Sequence, residues 1–216
     1  MSINKTYAVF GLGRYGTAVA RELVKSGAEV IAVDRDERLV AAAAPFVPVC
    51  KCADVTDPEV IGQLGIANVD VVIVAMASSL EAAVMTTMLC KEAGVPSVIV
   101  KCGDEMHRKI LLKVGADRVI LPESESGVRL AKNLLSAGFV DMVELTRNVS
   151  MVEVEVRDEW VGKSLIELNL RKKYSINVVA IRKGEAVSCV VDPEKPLETA
   201  MKLIIIANTD KLKKLS

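Results

Sequence analysis

Gly11, Gly13 and Gly16, set in the run Gly-Leu-Gly-Arg-Tyr-Gly from 11 to 16, and Asp34 beyond them are the residues whose types and spacing point most directly to chemistry. A G-x-G-x-x-G run between an apolar strand and a helix allows a tight turn and a close backbone approach, and it leaves the first N–H groups of the helix facing an anion. Asp34 closes the next apolar run at the spacing where a carboxylate accepts hydrogen bonds from both ribose hydroxyls, an arrangement that disfavours a 2′-phosphate and hence NADP. Together these features predict a bound mono- or dinucleotide. The competing reading is a bare turn with Asp34 capping a helix.

Three further side chains bear on which nucleotide. Arg14 and Tyr15 lie inside the glycine turn, and the Arg14 guanidinium suits the terminal phosphates of ATP or ADP, which NAD lacks; the bland alternative is a solvated arginine. Lys101 ends an apolar run and Glu123 follows another, on the edge where open parallel sheets take ligands. A carboxylate aimed at phosphates repels them unless a divalent cation intervenes, so Glu123 points to Mg²⁺ or a similar ion, with simple first-turn helix charge as the alternative. No catalytic residue is assigned. A phosphotransferase needs a Gly-Lys-Ser/Thr loop, which is absent, and Ser78 and Ser79 sit in no Gly-x-Ser-x-Gly elbow. The sole histidine, His107, falls on a charged helix. Two other readings stay open: an NAD(H)-sensing binding module and a small NAD-dependent oxidoreductase.

The elements that must hold these residues alternate. Strands are predicted at 7–10, 29–33, 47–51, 69–75, 98–101 and 118–121. Helices are predicted at 15–26, 36–44, 58–64, 80–93 and 105–114, with Asp57 capping a helix that begins at Pro58. Strands joined by such helices pair in parallel, giving an α/β fold with a Rossmann-like doubly wound sheet. A long amphipathic helix at 124–137 follows, ended by Gly138, with Val128, Leu130, Ala131, Leu134 and Leu135 on one side. Residues 1–138 thus form the nucleotide-binding domain with its terminal helix, 139–148 a connector, and 149–216 a small α+β lobe. In that lobe strands are predicted at 150–156, 177–182, 186–191 and 203–207, and a helix at 164–168.

Composition narrows the partners. Lys plus Arg equals Asp plus Glu at 28 each, and only three Phe, three Tyr and one Trp stand among 216 residues, so neither a phosphate polymer nor base stacking is favoured and no nucleic-acid partner is expected. Residues 1–5 lack the apolar core of a signal peptide and the longest apolar run, 71–77, is far short of a membrane span, so a cytoplasmic location is expected. Five cysteines with no Cys-x-x-Cys pair predict reduced, mostly buried thiols. Cys50 and Cys52 alternate along one strand.

Six stretches together resemble the KtrA/TrkA group of RCK (regulator of potassium conductance) proteins: 10–16, 33–36, 53–57, 74–77, 115–123 and 168–174. The resemblance runs nearly end to end. It implies an N-terminal RCK domain and a C-terminal RCK lobe in a nucleotide-gated regulatory subunit that exchanges ATP and ADP. The assembly it implies is a homo-oligomer, a ring of dimers (an octamer) docked on the inner face of a KtrB- or TrkH-like potassium transporter, with the helix from Ser124 as the dimer crossover. Carried onto this sequence, Asp34, Arg35 and Asp36 resemble the ribose contacts, Asp54 and Val55 the adenine side, and Met76, Ala77 and Ser78 the turn after the fourth strand. Arg14, Lys101, Cys102, Gly103 and His107 resemble the phosphate side, and Glu123 the cation-bridging carboxylate. In the C-terminal lobe, Arg171 and Asn177 resemble part of a cyclic di-AMP pocket. One departure stands there: Ala200 and Met201 replace the Gly-Asp that the family places before its last strand.

Overall fold

The computed structural model of the chain describes residues 5–76, 79–135, 139–146 and 148–212, and falls into two compact units divided between Ser124 and Glu125. In the first, β1 (Thr6–Phe10), α1 (Arg14–Lys25), β2 (Glu29–Asp34), α2 (Glu37–Ala43), β3 (Val49–Cys52) and α3 (Pro58–Gln63) are followed by β4 (Val71–Val74), α4 (Leu80–Glu92), β5 (Ser97–Lys101), α5 (Glu105–Val114) and β6 (Arg118–Ile120). All six strands pair in parallel in the order β3-β2-β1-β4-β5-β6, the doubly wound arrangement expected. The chain order reverses between β1 and β4, which opens a crevice at the carboxyl ends of those strands.

The sheet is buried on both faces, and this is why its strands read as near-continuous aliphatic runs. Ala8, Phe10, Val72 and Val74 pack into one core while the alternating Val9, Val71 and Ile73 pack into a second on the opposite side. Helix starts are fixed by short polar side chains: Asp36, Asp57, Ser79 and Asp104 each accept a backbone N–H from the first turn that follows. Helix α1 is the exception. Its N-cap is Gly13, with no side-chain cap and no acidic residue in the first turn.

Helix α6 (Pro122–Leu135) begins two residues earlier than expected; positions 136–138, including the anticipated Gly138 stop, lie outside the described residues. The anticipated connector at 139–148 is instead largely a strand, β7 (Phe139–Thr146), antiparallel to β8 (Val149–Glu155). Asp141 and Glu144 hide it from a reading by polarity, although Phe139, Val140, Val143 and Thr146 are strand formers. Helices α7 (Leu165–Leu168) and α8 (Leu170–Tyr174), strands β9 (Ile176–Lys183), β10 (Ala186–Ser188) and β11 (Met201–Asn208), and α9 (Thr209–Leu212) complete the second unit. Its sheet is antiparallel in the order β10-β9-β11-β8-β7. Val152, Val154, Leu203 and Ile205 pack beneath it with Trp160 and Leu168. The turn before β11 needs no glycine: Met201 N–H donates to the Glu198 carbonyl at 3.0 Å, and no non-glycine residue there has positive φ.

The thiols are less buried than expected. Cys90 and Cys102 are buried and Cys50 half-buried, but Cys52 and Cys189 are exposed, because β3 is an edge strand and Cys189 lies beyond β10.

Candidate functional site

A cleft of about 940 Å³ opens at the carboxyl ends of β1, β2 and β4. Its floor is the glycine turn. Gly11 has φ +92°, and a Cβ there would come within 2.8 Å of Met76 Cγ; a Cβ on Gly16 would come within 1.8 Å of the Gly11 carbonyl oxygen. These two glycines are required by the fold alone. Gly13 differs, since a Cβ there would meet nothing within 4 Å. With no protein contact demanding glycine, the open space above Gly13 at the uncapped start of α1 is where an anion would approach the backbone N–H groups.

Asp34 locks the turn to β2. Its Oδ2 accepts the Leu12 N–H at 2.6 Å and its Oδ1 the Asp36 N–H at 2.8 Å, so the carboxylate is oriented before any ligand arrives. Thr17 Oγ1 donates to the Leu12 carbonyl at 2.7 Å and holds the other flank. Asp54 is fixed likewise: it accepts from Thr56 Oγ1 at 2.7 Å and from Thr56 N–H at 3.0 Å, and the hydroxyl bond holds its carboxyl below the usual range. Asp36 is engaged elsewhere, forming a two-point pair with the Arg38 guanidinium (2.8 and 3.1 Å) that lowers its pKa. It lines the cleft, but its carboxylate already has a cation.

Across the cleft, Lys101 Nζ donates to Glu123 Oε1 at 2.7 Å and sits 5.5 Å from the centre of the Tyr15 ring. That hydrogen bond holds the Glu123 carboxyl below the usual range. The lysine side chain is only 14% exposed whereas the glutamate is 72% exposed. Among the described residues no group of three or more His, Cys, Asp or Glu could hold a metal. A Mg²⁺ ion at Glu123 would therefore need oxygen donors beyond these side chains.

Of the residues singled out in the sequence, the cleft gathers Gly11, Gly13, Arg14, Tyr15, Asp34, Arg35, Asp36, Asp54, Val55, Met76, Lys101 and Glu123. Ala77 and Ser78 lie outside the described residues. Gly16 lies beneath the turn, and Cys102, Gly103 and His107 are not brought to the lining. Cys102 is buried, its thiol donating to the Asp104 carbonyl at 3.3 Å and pushed to higher pKa by burial. His107 is turned onto Asp104, with Nδ1 3.1 Å from Oδ2. The lining also holds residues that the motifs did not mark, among them Leu39, Thr56, Glu81, Ala82 and Met85. Those on α4 follow from its position beside β4, which no spacing rule displays. Buried Thr86 on the same helix steadies that side through a hydrogen bond from Oγ1 to the Val55 carbonyl at 3.3 Å. In the second unit, Arg171 on α8 and Asn177 on β9 are both exposed.

Two family models match the chain. Residues 7–122 match the TrkA-N domain and residues 149–216 the TrkA-C domain. The chain is 38% identical to Ktr system potassium uptake protein C of Bacillus subtilis (strain 168), over 88% of this chain and 86% of that one. It is 35% identical to Ktr system potassium uptake protein A of Vibrio alginolyticus, over 97% and 95% respectively. Among solved structures, the GsuK channel superposes with a TM-score of 0.69 at 14% identity, covering 98% of this chain but 38% of the channel. The TrkA-N domain of the inner membrane protein ybaL from Escherichia coli gives a TM-score of 0.55 at 15% identity, covering 62% of this chain and 99% of that domain. At these identities the structures speak to the fold.

Proposed function

The chain belongs to the TrkA family as a regulatory component of potassium uptake and not an enzyme, and on that premise we propose that its cleft senses ATP and ADP on behalf of a membrane potassium transporter. The observation that carries the ligand is the pairing of an uncapped α1 at Gly13 with an Asp34 carboxylate already oriented by Leu12 and Asp36. The first receives phosphate and the second ribose. Arg14, at the first position of α1, and Lys101 supply cations beyond the diphosphate that all such nucleotides share. A γ-phosphate has a use for both. Glu123 is the residue that would hold Mg²⁺ against the phosphates, the ion supplying charge neutralisation there.

Binding changes the behaviour of a transporter only through the difference in nucleotide affinity between two conformations of the regulator. We place that difference in a homo-oligomeric ring of dimers at the inner face of the membrane, beside a KtrB- or TrkH-like subunit. Three apolar side chains on α6 support a second copy of the chain: Val128, Leu130 and Leu134 are 52%, 60% and 77% exposed. Among the described residues no helix is long and apolar enough to cross a membrane. The same premise offers Arg171 and Asn177 to cyclic di-AMP in the second unit.

The test is thermal stabilisation of the purified chain by ATP, ADP, NADH and cyclic di-AMP, with and without Mg²⁺, since any ligand of the native state raises its apparent stability. Larger shifts with ATP and ADP than with NADH are expected. An NADH-dominated response would overturn the proposal in favour of a nicotinamide sensor. Arg14→Ala should narrow the difference between ATP and ADP while retaining adenosine binding.

A further inference from the structure

Lys101 is the least exposed of the charged side chains facing the phosphate end of the cleft, and its ammonium is already in use. It lies 2.7 Å from Glu123 Oε1, with the Tyr15 ring on another side. Tyr15 is the second residue of α1 and Glu123 the second of α6, so a phosphate arriving at the start of α1 meets Lys101 alongside its existing anion. One ammonium cannot give its full charge to both. We infer that Glu123 sets the anion affinity of the cleft by holding Lys101, so that a nucleotide must draw the lysine away from this carboxylate in order to bind.

This rests on the nucleotide reading above and adds to it a role for Glu123 that operates with no divalent cation present. The cation-bridging role makes Glu123 helpful to ATP when Mg²⁺ is there. Possession of Lys101 makes the same carboxylate a brake when Mg²⁺ is removed. The two roles have opposite signs under opposite conditions, which makes them separable. A bridging Mg²⁺ would also give Glu123 a replacement cation, so release of Lys101 and arrival of the ion favour each other. The size of the effect follows from the exposure of the pair. Ion pairs with one exposed partner are weak, but a lysine only 14% exposed and bonded at 2.7 Å stands among the stronger of them, so freeing Lys101 is worth roughly threefold to fivefold in affinity.

Two mechanisms would raise affinity when Glu123 is neutralised: release of Lys101, and removal of direct repulsion between Glu123 and phosphate. A double-mutant cycle tells them apart. ATP affinity is measured by calorimetry on the full chain in excess chelator for the parent, Glu123→Gln, Lys101→Met and the double variant, after thermal unfolding has shown the ligand-free variants to be folded. Glu123→Gln should tighten ATP about threefold to fivefold when Lys101 is present and by less than about 1.5-fold in the Lys101→Met background. An equal gain in both backgrounds overturns the inference in favour of direct repulsion. A loss or no change with Lys101 present also overturns it and leaves the nucleotide reading standing. Failure of the parent chain to bind ATP or ADP at all removes the nucleotide reading and this inference together.

Discussion

The two units handle left-handed backbone in different ways. In the first unit every described residue with positive φ is a glycine: Gly11, Gly27, Gly65, Gly94 and Gly115. In the second, Gly162 and Gly184 are joined by Asn169 (φ 46°) and Ser175 (φ 58°), which bracket α8. Charge follows the same contrast. The first unit leaves the start of α1 uncapped and keeps Arg14 and Lys101 at a cleft. The second sets Glu153, only 8% exposed, against Arg182 at 2.8 Å and Lys202 at 3.7 Å. Arg182 Nε lies close to the carboxylate with its N–H unaligned, so the contact is ionic and not a formed hydrogen bond. One unit leaves polar groups at an open cleft; the other pairs them with one another across its own sheet.

If that contrast is right, the most damaging substitutions in the first unit are in its turn and in the second unit in its core. Gly16→Ala should have the largest combined effect, on stability and on nucleotide binding together. A methyl group 1.8 Å from the Gly11 carbonyl oxygen requires backbone movement, and about 3–4 kcal/mol of stability should be lost along with nucleotide binding. Thermal unfolding followed by far-ultraviolet circular dichroism checks this. A variant as stable as the parent would mean that the turn is not built as described.

In the second unit the corresponding change is Leu203→Ala. Leu203 is fully buried at the centre of β11, between β9 and β8, and its truncation should cost about 2–5 kcal/mol. Trp160, the single tryptophan, is buried in the same core with Tyr174 at 6.5 Å and Arg157 over its ring, so its fluorescence reports this unit in a denaturant titration. Nucleotide affinity in the first unit should survive. Its loss would show that the two units do not divide stability and binding as argued.

Gly13→Ala sharpens the comparison within the turn itself. A Cβ at Gly13 meets no protein atom within 4 Å, and the residue's φ of −62° is open to alanine, so stability should change little. The methyl group would project into the space above the N–H groups of α1, and ATP and ADP should bind at least tenfold more weakly, about 1.4 kcal/mol. Calorimetry beside a melting curve separates the two effects. Unchanged affinity would place the ligand elsewhere.

How much of this was legible in sequence follows from the same contrast. The parallel sheet was readable because burial on both faces leaves aliphatic runs, and because glycines and capping aspartates mark the ends of its helices; α5 falls at Glu105–Val114, the range its pattern gave. The motif residues of β1, β2 and the turn converge on the cleft because one short segment carries them. Leu39 and Met85 were not legible, since they reach the cleft through helix packing that crosses long stretches of sequence. His107 was set on the phosphate side by the family resemblance, yet the structure turns its imidazole onto Asp104, whose carboxylate also accepts the His107 backbone N–H as the cap of α5. In the second unit β7 was hidden by acidic residues within it. Helix α8 was hidden because serine at 175 and asparagine at 169 take conformations that glycine would have announced.

That last point yields the smallest effect. Ser175 ends α8 with φ 58° and ψ 37°, its N–H donating to the Arg171 carbonyl at 3.1 Å, a closing geometry in which glycine bears no Cβ penalty. No side-chain cap from Ser175 is needed to hold that bond, which is made by the backbone. Ser175→Gly should therefore stabilise the second unit by roughly 0.5–1 kcal/mol once the added freedom of glycine in the unfolded chain is set against the relieved strain. The Trp160 transition should move to higher denaturant with its slope unchanged. Destabilisation would mean that the serine contributes more to this corner than its backbone shows, and the second unit would then owe its left-handed turns to side chains rather than to tolerance of strain.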